Sequence, residues 1–250
     1  MKLTTSTLGT WAPDAGHRTL AEKAFVALHD AIVAGELKPG ERLPIEDLAE
    51  VLDMSPMPVR EALRRLDAAG LVENVPHRGA RITELSIDDL YDVYQARLAL
   101  EPLAVEHAAE RFSETDAQRG QELLDSLNKL GDRNTPNVWA AHTAFHFALY
   151  EAADSAWLLR LIQPLWESSQ RYRLAAPTKR KLTMRREEHQ RILEACIEHR
   201  PAGARAELHN HLVRTANLVS EAMGGSDLFD PVDVPKPSRR RSASGRGTRA

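Results

Sequence analysis

One cysteine, Cys196, stands alone in 250 residues. It can close no disulfide within the chain and forms no CxxC pair for a structural metal or a redox couple. No stretch approaches the roughly 18 consecutive apolar residues of a membrane span. The opening "MKLTTSTLGTWAPDAG" holds no apolar signal segment, so the sequence predicts a cytoplasmic protein without a membrane partner. Catalytic signatures are absent too: there is no HExxH, no nucleophile motif and no phosphate-cradling glycine loop. What the chain does have is 42% hydrophobic content, enough to bury one large core or two ordinary ones.

The net charge of −3 hides an uneven distribution. Residues 231–250 hold six basic side chains (Lys236, Arg239, Arg240, Arg241, Arg246 and Arg249) against Asp233, a local +5 that leaves −8 for the rest. "KPSRRRSASGRGTRA" is too poor in apolar residues to fold, and the sequence predicts a disordered basic tail over 226–250. Such a tail is either a solvated extension or a non-specific nucleic-acid anchor. A loose N-terminal extension is expected over 1–16.

Between them lie two differently patterned regions. In 17–84, Leu20, Ala24, Ala27, Leu28, Ala31 and Ile32 fall at helical spacing, and Ile45, Leu48, Ala49 and Leu52 outline a second, shorter helix. Then comes "MSPMPVREALRRL". Proline is tolerated in the first turn of a helix, where its missing N–H costs nothing. Pro56 and Pro58 therefore mark a start, with Ser55 as the expected N-cap. Val59, Ala62, Leu63 and Leu66 share one face of this third helix. Arg60 and Arg64, spaced i and i+4, flank that face on one side and Arg65 lies on the other. "LVENVPHRGARIT" adds two β-prone runs joined by His77, Arg78 and Gly79. Helix, helix, tight turn, basic helix and hairpin is the order of a winged helix-turn-helix. The region is not basic as a whole, with nine Lys and Arg against twelve Asp and Glu, so any cationic surface is local. An ordinary solvated amphipathic helix is the competing reading.

"PVREALRRLDAAGLVENVPHRGARIT" and the preceding "AIVAGELKPGERLPIEDLAEVLDMS" resemble the signature of the GntR family of bacterial transcription regulators. The resemblance implies that Ser55, Met57, Pro58, Arg60 and Arg64 meet the major groove or its phosphates. It implies that His77, Arg78 and Gly79 form a wing tip at the minor groove. Family members often carry Arg-Thr where this chain has Pro56-Met57, which bears on the operator sequence.

The region 85–225 reads as helix throughout. Ser86 with Asp89 fits a capping box. A bend is expected near Pro102, and breaks fall around 134–136, 176–177 and at Pro201. Long amphipathic helices with short connections imply an antiparallel bundle. His142 and His146 share a helical face, a spacing that lets two imidazoles hold one metal. His189 and His211 lie on later helices. Ten histidines could produce such a set by chance, and buried histidines are more often core residues than ligands. Arg97 precedes Glu101 by one turn, so an internal salt bridge competes with a ligand-facing role.

"FHFALYEAAD", "EEHQRILEAC" and "HLVRTANL" resemble landmarks of the FCD domain, the all-helical ligand-binding domain of one branch of the same family. By that resemblance His146, His189 and His211 hold a divalent metal, with His142 at a position where the family has Asp or Asn. A fourth imidazole that coordinates favours Zn or Ni over Mn or Mg; the alternative is a modified or metal-free pocket. Arg97 falls where the family often has a cavity arginine, and its functional reading is a bidentate clamp on an effector carboxylate.

The fold expected is mainly α, an N-terminal winged helix-turn-helix with a small β wing followed by an antiparallel helical bundle. The function expected is a homodimeric regulator, a repressor that leaves a palindromic double-stranded DNA operator when a small organic acid binds. A metal-dependent hydrolase-like enzyme, with Glu188 beside His189 as its nearest candidate base, and an architectural DNA binder without effector are the alternatives.

Overall fold

The computed structural model describes residues 19–75, 79–131, 136–175 and 182–235. Helix α1 (Leu20–Val33) is capped by Thr19, whose hydroxyl accepts from the Glu22 backbone N–H at 3.1 Å. It buries Ala24, Leu28, Ala31 and Ile32. Strand β1 (Arg42–Leu43) precedes α2 (Ile45–Val51), and a turn through Asp53 (φ +50°) leads into α3 (Pro56–Ala68). Val59, Ala62, Leu63 and Leu66 of α3 are buried against α1 and α2 as their spacing required.

Strands β2 (Val72–Val75) and β3 (Gly79–Ile82) pair antiparallel, and β1 adds to the other side of β3, giving the order β1-β3-β2. The hairpin expectation holds with two changes. Gly79 is the first residue of β3 and not part of the connection. Its φ of +85° and a backbone close enough that a Cβ would meet the Leu43 carbonyl oxygen at 2.7 Å leave no room for a side chain. Strand β1 was not foreseen, because two residues are too few for a period to register.

The second half is the expected helical bundle: α4 (Ile87–Arg111), α5 (Glu114–Leu130), α6 (Pro136–Glu151), α7 (Ala156–Ala175), α8 (Leu182–Ile197) and α9 (Pro201–Ala222). Helix α4 is central, packing on α9 and α7. It runs through Pro102 to Arg111. Ser86 caps it by accepting from the Asp89 N–H at 3.1 Å. The Asp89 carboxylate does not complete a capping box; it takes the Tyr172 hydroxyl instead. The complete box is at Ser113 and Asp116, opening α5. No helix among the described residues is long and apolar enough to cross a membrane.

Residues 226–235, expected as part of the tail, are held against the bundle. They have no regular secondary structure but lie along α9, tied by two side-chain amides. Asn217 Oδ1 accepts from the N–H of Leu228 and of Phe229, and Asn210 exchanges a pair of hydrogen bonds with the Val232 backbone, both 2.8 Å. Phe229 stacks on Tyr91 at 5.0 Å. The basic residues from Lys236 onward, like the extension 1–16, lie outside the described residues.

The two halves touch through α7. His29 Nε2 meets Glu167 at 3.0 Å and Arg171 donates to the Thr83 carbonyl at 2.6 Å.

Candidate functional site

At the start of α3 the structure presents a bare tip. Ser55 occupies the N-cap position, but its hydroxyl makes no capping bond, contrary to expectation. Ser55, Met57, Arg60 and Arg64 are exposed and Pro58 is half-buried. Met57, at 72% exposure, is the most solvent-exposed large apolar side chain among the described residues. Arg65 is separated from this group as its spacing implied: its guanidinium stacks on Phe25 of α1 at 4.1 Å. His77 and Arg78 lie outside the described residues, so the wing tip is defined only at Gly79.

Inside the bundle the four histidines converge. His142 and His146 on α6, His189 on α8 and His211 on α9 are all buried, and each offers a ring nitrogen within 4.8 Å of the others. Burial foremost holds the His142 and His146 imidazoles well below their usual pKa, with neighbouring imidazoles and Arg173 acting the same way. Both are therefore neutral at pH 7, the state in which imidazole ligates.

The surrounding hydrogen bonds fix which nitrogen carries the proton. Tyr150, kept protonated by burial and by the Glu101 charge, donates its hydroxyl to Glu101 at 2.7 Å. Its oxygen must then accept from His146 Nδ1, 3.2 Å away, leaving a lone pair on His146 Nε2. That lone pair lies 3.2 Å from His189 Nε2. His211 Nδ1 donates to the Glu188 carboxylate at 2.9 Å, which likewise puts the lone pair of a neutral ring on Nε2. His142 Nδ1 is buried and has no hydrogen-bond partner among the described residues.

These residues fit a metal ion. Two nitrogens on one tetrahedral ion with bonds of about 2.0–2.1 Å stand roughly 3.3 Å apart, close to the His146–His189 separation. His146 and His211 carry their protons on the nitrogens held by Tyr150 and Glu188, and His142 Nδ1 has no hydrogen-bond partner among the described residues.

Arg97 differs from its expected role as an effector clamp. It is 1% exposed, and its Nε and Nη2 grip both oxygens of Glu101 at 2.5 and 3.1 Å while Nη1 donates to Ser169 at 2.9 Å. Of the two readings its spacing allowed, the internal salt bridge is the one formed. The open groups are elsewhere, at Arg173 of α7 and Tyr94 of α4. Arg173 Nε and Nη2 and the Tyr94 hydroxyl are buried and have no hydrogen-bond partner among the described residues. Sequence reasoning missed both. The available signal was the spacing of Trp166, Ser169 and Arg173, which puts the three on one face of α7. Glu188, considered as a base, instead orients His211 and pairs with Arg214 at 2.9 Å.

A helix-turn-helix head joined to a bundle with a buried histidine centre defines a DNA-binding regulator with a sensing domain. The family model for bacterial regulatory proteins of the gntR family matches residues 20–82, and that for the FCD domain matches 92–214. The chain is 32% identical over 220 residues to the HTH-type transcriptional regulator BphR of Paraburkholderia xenovorans, covering 84% of this chain and 89% of that one. It is 32% identical over 234 residues to the regulator Mce2R of Mycobacterium tuberculosis, covering 82% and 95%. Among solved structures, Escherichia coli McbR/YncC superposes with a TM-score of 0.70 at 26% identity, over 83% of this chain and 100% of that one. The chain belongs to the GntR family of transcriptional regulators and carries an FCD domain.

Proposed function

We propose that the protein is a homodimeric repressor that binds a palindromic operator and releases it when a small organic acid enters a metal-containing FCD domain. The observation that carries this reading is the convergence of four buried histidines at the centre of the sensing bundle. His142, His146, His189 and His211 would hold the ion. An all-imidazole set suits Zn²⁺ or Ni²⁺ better than Mg²⁺ or Mn²⁺. When bound, such an ion supplies a fixed positive charge for an acid's oxygen atoms.

On the DNA side, Arg60 and Arg64 are free to reach guanine edges or phosphates, and Ser55 can donate to either. Met57, in place of a polar residue, offers a thymine methyl an apolar contact. One recognition helix reads few base pairs, and two copies on half-sites a helical turn apart supply the length an operator needs. The Escherichia coli relative GlaR, 27% identical over 209 residues, is named a transcriptional repressor, which supports the sign of regulation. Neither the family nor the relatives support the hydrolase-like or purely architectural alternative.

The test is a mobility-shift titration of the full chain on DNA from upstream of its own gene, with and without small organic acids, before and after chelation. The reading expects a shift that one acid relieves only in the metal-loaded protein. A complex indifferent to every acid and to chelation argues against it.

A further inference from the structure

Two arginines of the sensing bundle present the same edge of the guanidinium and meet opposite fates. The adjacent nitrogens Nε and Nη2 form the side of the fork that receives two oxygens of one carboxylate. In Arg97 that edge is filled by Glu101. In Arg173 the same two nitrogens are buried and unpaired among the described residues. A buried cation without a partner is strongly unfavourable, whereas a paired one is tolerated. The Arg173 guanidinium is nevertheless held in place, over the indoles of Trp139 at 4.8 Å and Trp166 at 5.3 Å. Burial lowers its pKa only to about 10, so it stays charged at neutral pH.

The second open donor is the Tyr94 hydroxyl, also buried and without a hydrogen-bond partner among the described residues. Arg173 and Tyr94 interact electrostatically with each other, and Arg173 also acts on His142 and His146. The unsatisfied groups of α4, α6 and α7 therefore belong to one neighbourhood.

We propose that Arg173 and Tyr94 form the anion-reading end of the effector site, taking a planar carboxylate on the Arg173 Nε–Nη2 edge with a further bond from Tyr94, while Arg97 is an internal structural ion. This rests on the reading of the FCD domain as an acid sensor and names which residues recognise the acid. The partner is a ligand carboxylate in the role that Glu101 plays for Arg97. A single edge with two parallel N–H groups matches two coplanar oxygens.

The experiment uses the full chain purified without a histidine tag, titrated calorimetrically with acetate, L-lactate, malonate, succinate and citrate, with lactamide as the uncharged control and inorganic phosphate as the non-planar one. Tryptophan emission is followed in parallel, because seating a carboxylate on Arg173 alters the field over Trp139 and Trp166. The wild type is expected to bind at least one acid with a Kd of about 1 mM or tighter and to ignore lactamide. Arg173→Gln is expected to weaken that acid roughly tenfold or more, the cost of a lost charge-assisted pair. Tyr94→Phe, which removes only the oxygen, is expected to weaken it several-fold, and Arg173→Lys to recover part of the loss. Circular dichroism and operator binding serve to verify each variant's fold. Wild-type acid affinity in Arg173→Gln, alongside loss in His189→Ala, overturns the Arg173 assignment and leaves the acid-sensor reading standing. Phosphate binding more tightly than every acid overturns the carboxylate assignment. No acid binding to the wild type overturns both readings.

Discussion

Glu188 and His211 sit on neighbouring helices with the carboxylate accepting the imidazole Nδ1–H at 2.9 Å, so the ring turns its lone pair toward three other histidines. Such outer carboxylates set the tautomer and basicity of a ligating imidazole. Glu188→Gln keeps the volume but weakens the acceptor. It is expected to lower metal affinity about 10- to 100-fold, read by competition with a chromogenic chelator. His189→Ala should leave the purified protein with little metal by mass spectrometry. Undiminished affinity in Glu188→Gln would relegate that carboxylate to packing.

Arg60 stands on the exposed flank of α3, away from the buried Val59 and Leu63 face. Arg60→Ala is expected to weaken operator binding by about 1–3 kcal/mol, the value of a specific base contact, with circular dichroism unchanged. Equal operator affinity in mutant and wild type would remove Arg60 from the interface.

His29 gives the contact between reading head and bundle a pH dependence. Its imidazole is raised to about 9, first by the hydrogen bond to Asp30 and then by that to Glu167. A raised folded-state value means the stabilisation is fully present below the ordinary 6.5 and lost as pH climbs through about 9. The domain contact should therefore loosen between pH 6.5 and 9. Limited proteolysis of the segment between α3 and α4 across that range checks it, and His29→Gln should flatten the response.

Cys196 is buried, and burial pushes its thiol up to about 12. The native protein should react with a thiol-specific reagent only at its opening rate, with full reaction in denaturant. Rapid labelling of the native chain would contradict the packing around Cys196.

All six basic residues of the tail fall in 236–250. Deleting that segment should flatten the salt dependence of DNA binding, because each phosphate contact releases counterions, while sequence preference stays as it was. A slope equal to that of the full chain would make the tail a bystander.

Much of this was legible in the residues themselves. Pro56 and Pro58 announce the start of α3 because proline fits a first turn and little else in a helix. His142 and His146 announce a shared face by their spacing. At Arg97 the i+4 carboxylate was visible, but only burial could decide between an internal pair and an open clamp. For Arg173 the sequence offered only a shared helical face with Trp166 and Ser169, for Glu188 only its place beside His189, and for Tyr94 nothing, since having or lacking a partner is a property of packed helices. The segment 226–235 was read as tail because its ladder is made by Asn210 and Asn217 side chains, which leave no periodicity. The Leu228–Phe229 pair was its one apolar clue.

Helix α7 carries its two sets of contacts on different stripes. Glu167 and Arg171, one turn apart, hold the reading head through His29 and Thr83. Trp166, Ser169 and Arg173 point to the other side, into the bundle. Because successive residues are offset by about 100° around a stiff rod, the stripes cannot turn independently. The helix is a shaft with two rows of teeth, so any twist of it at Arg173 would carry Glu167 and Arg171 with it across the surface of the DNA-binding domain. A change at one row would then need no relay of side chains to be felt at the other, because both belong to one rigid part.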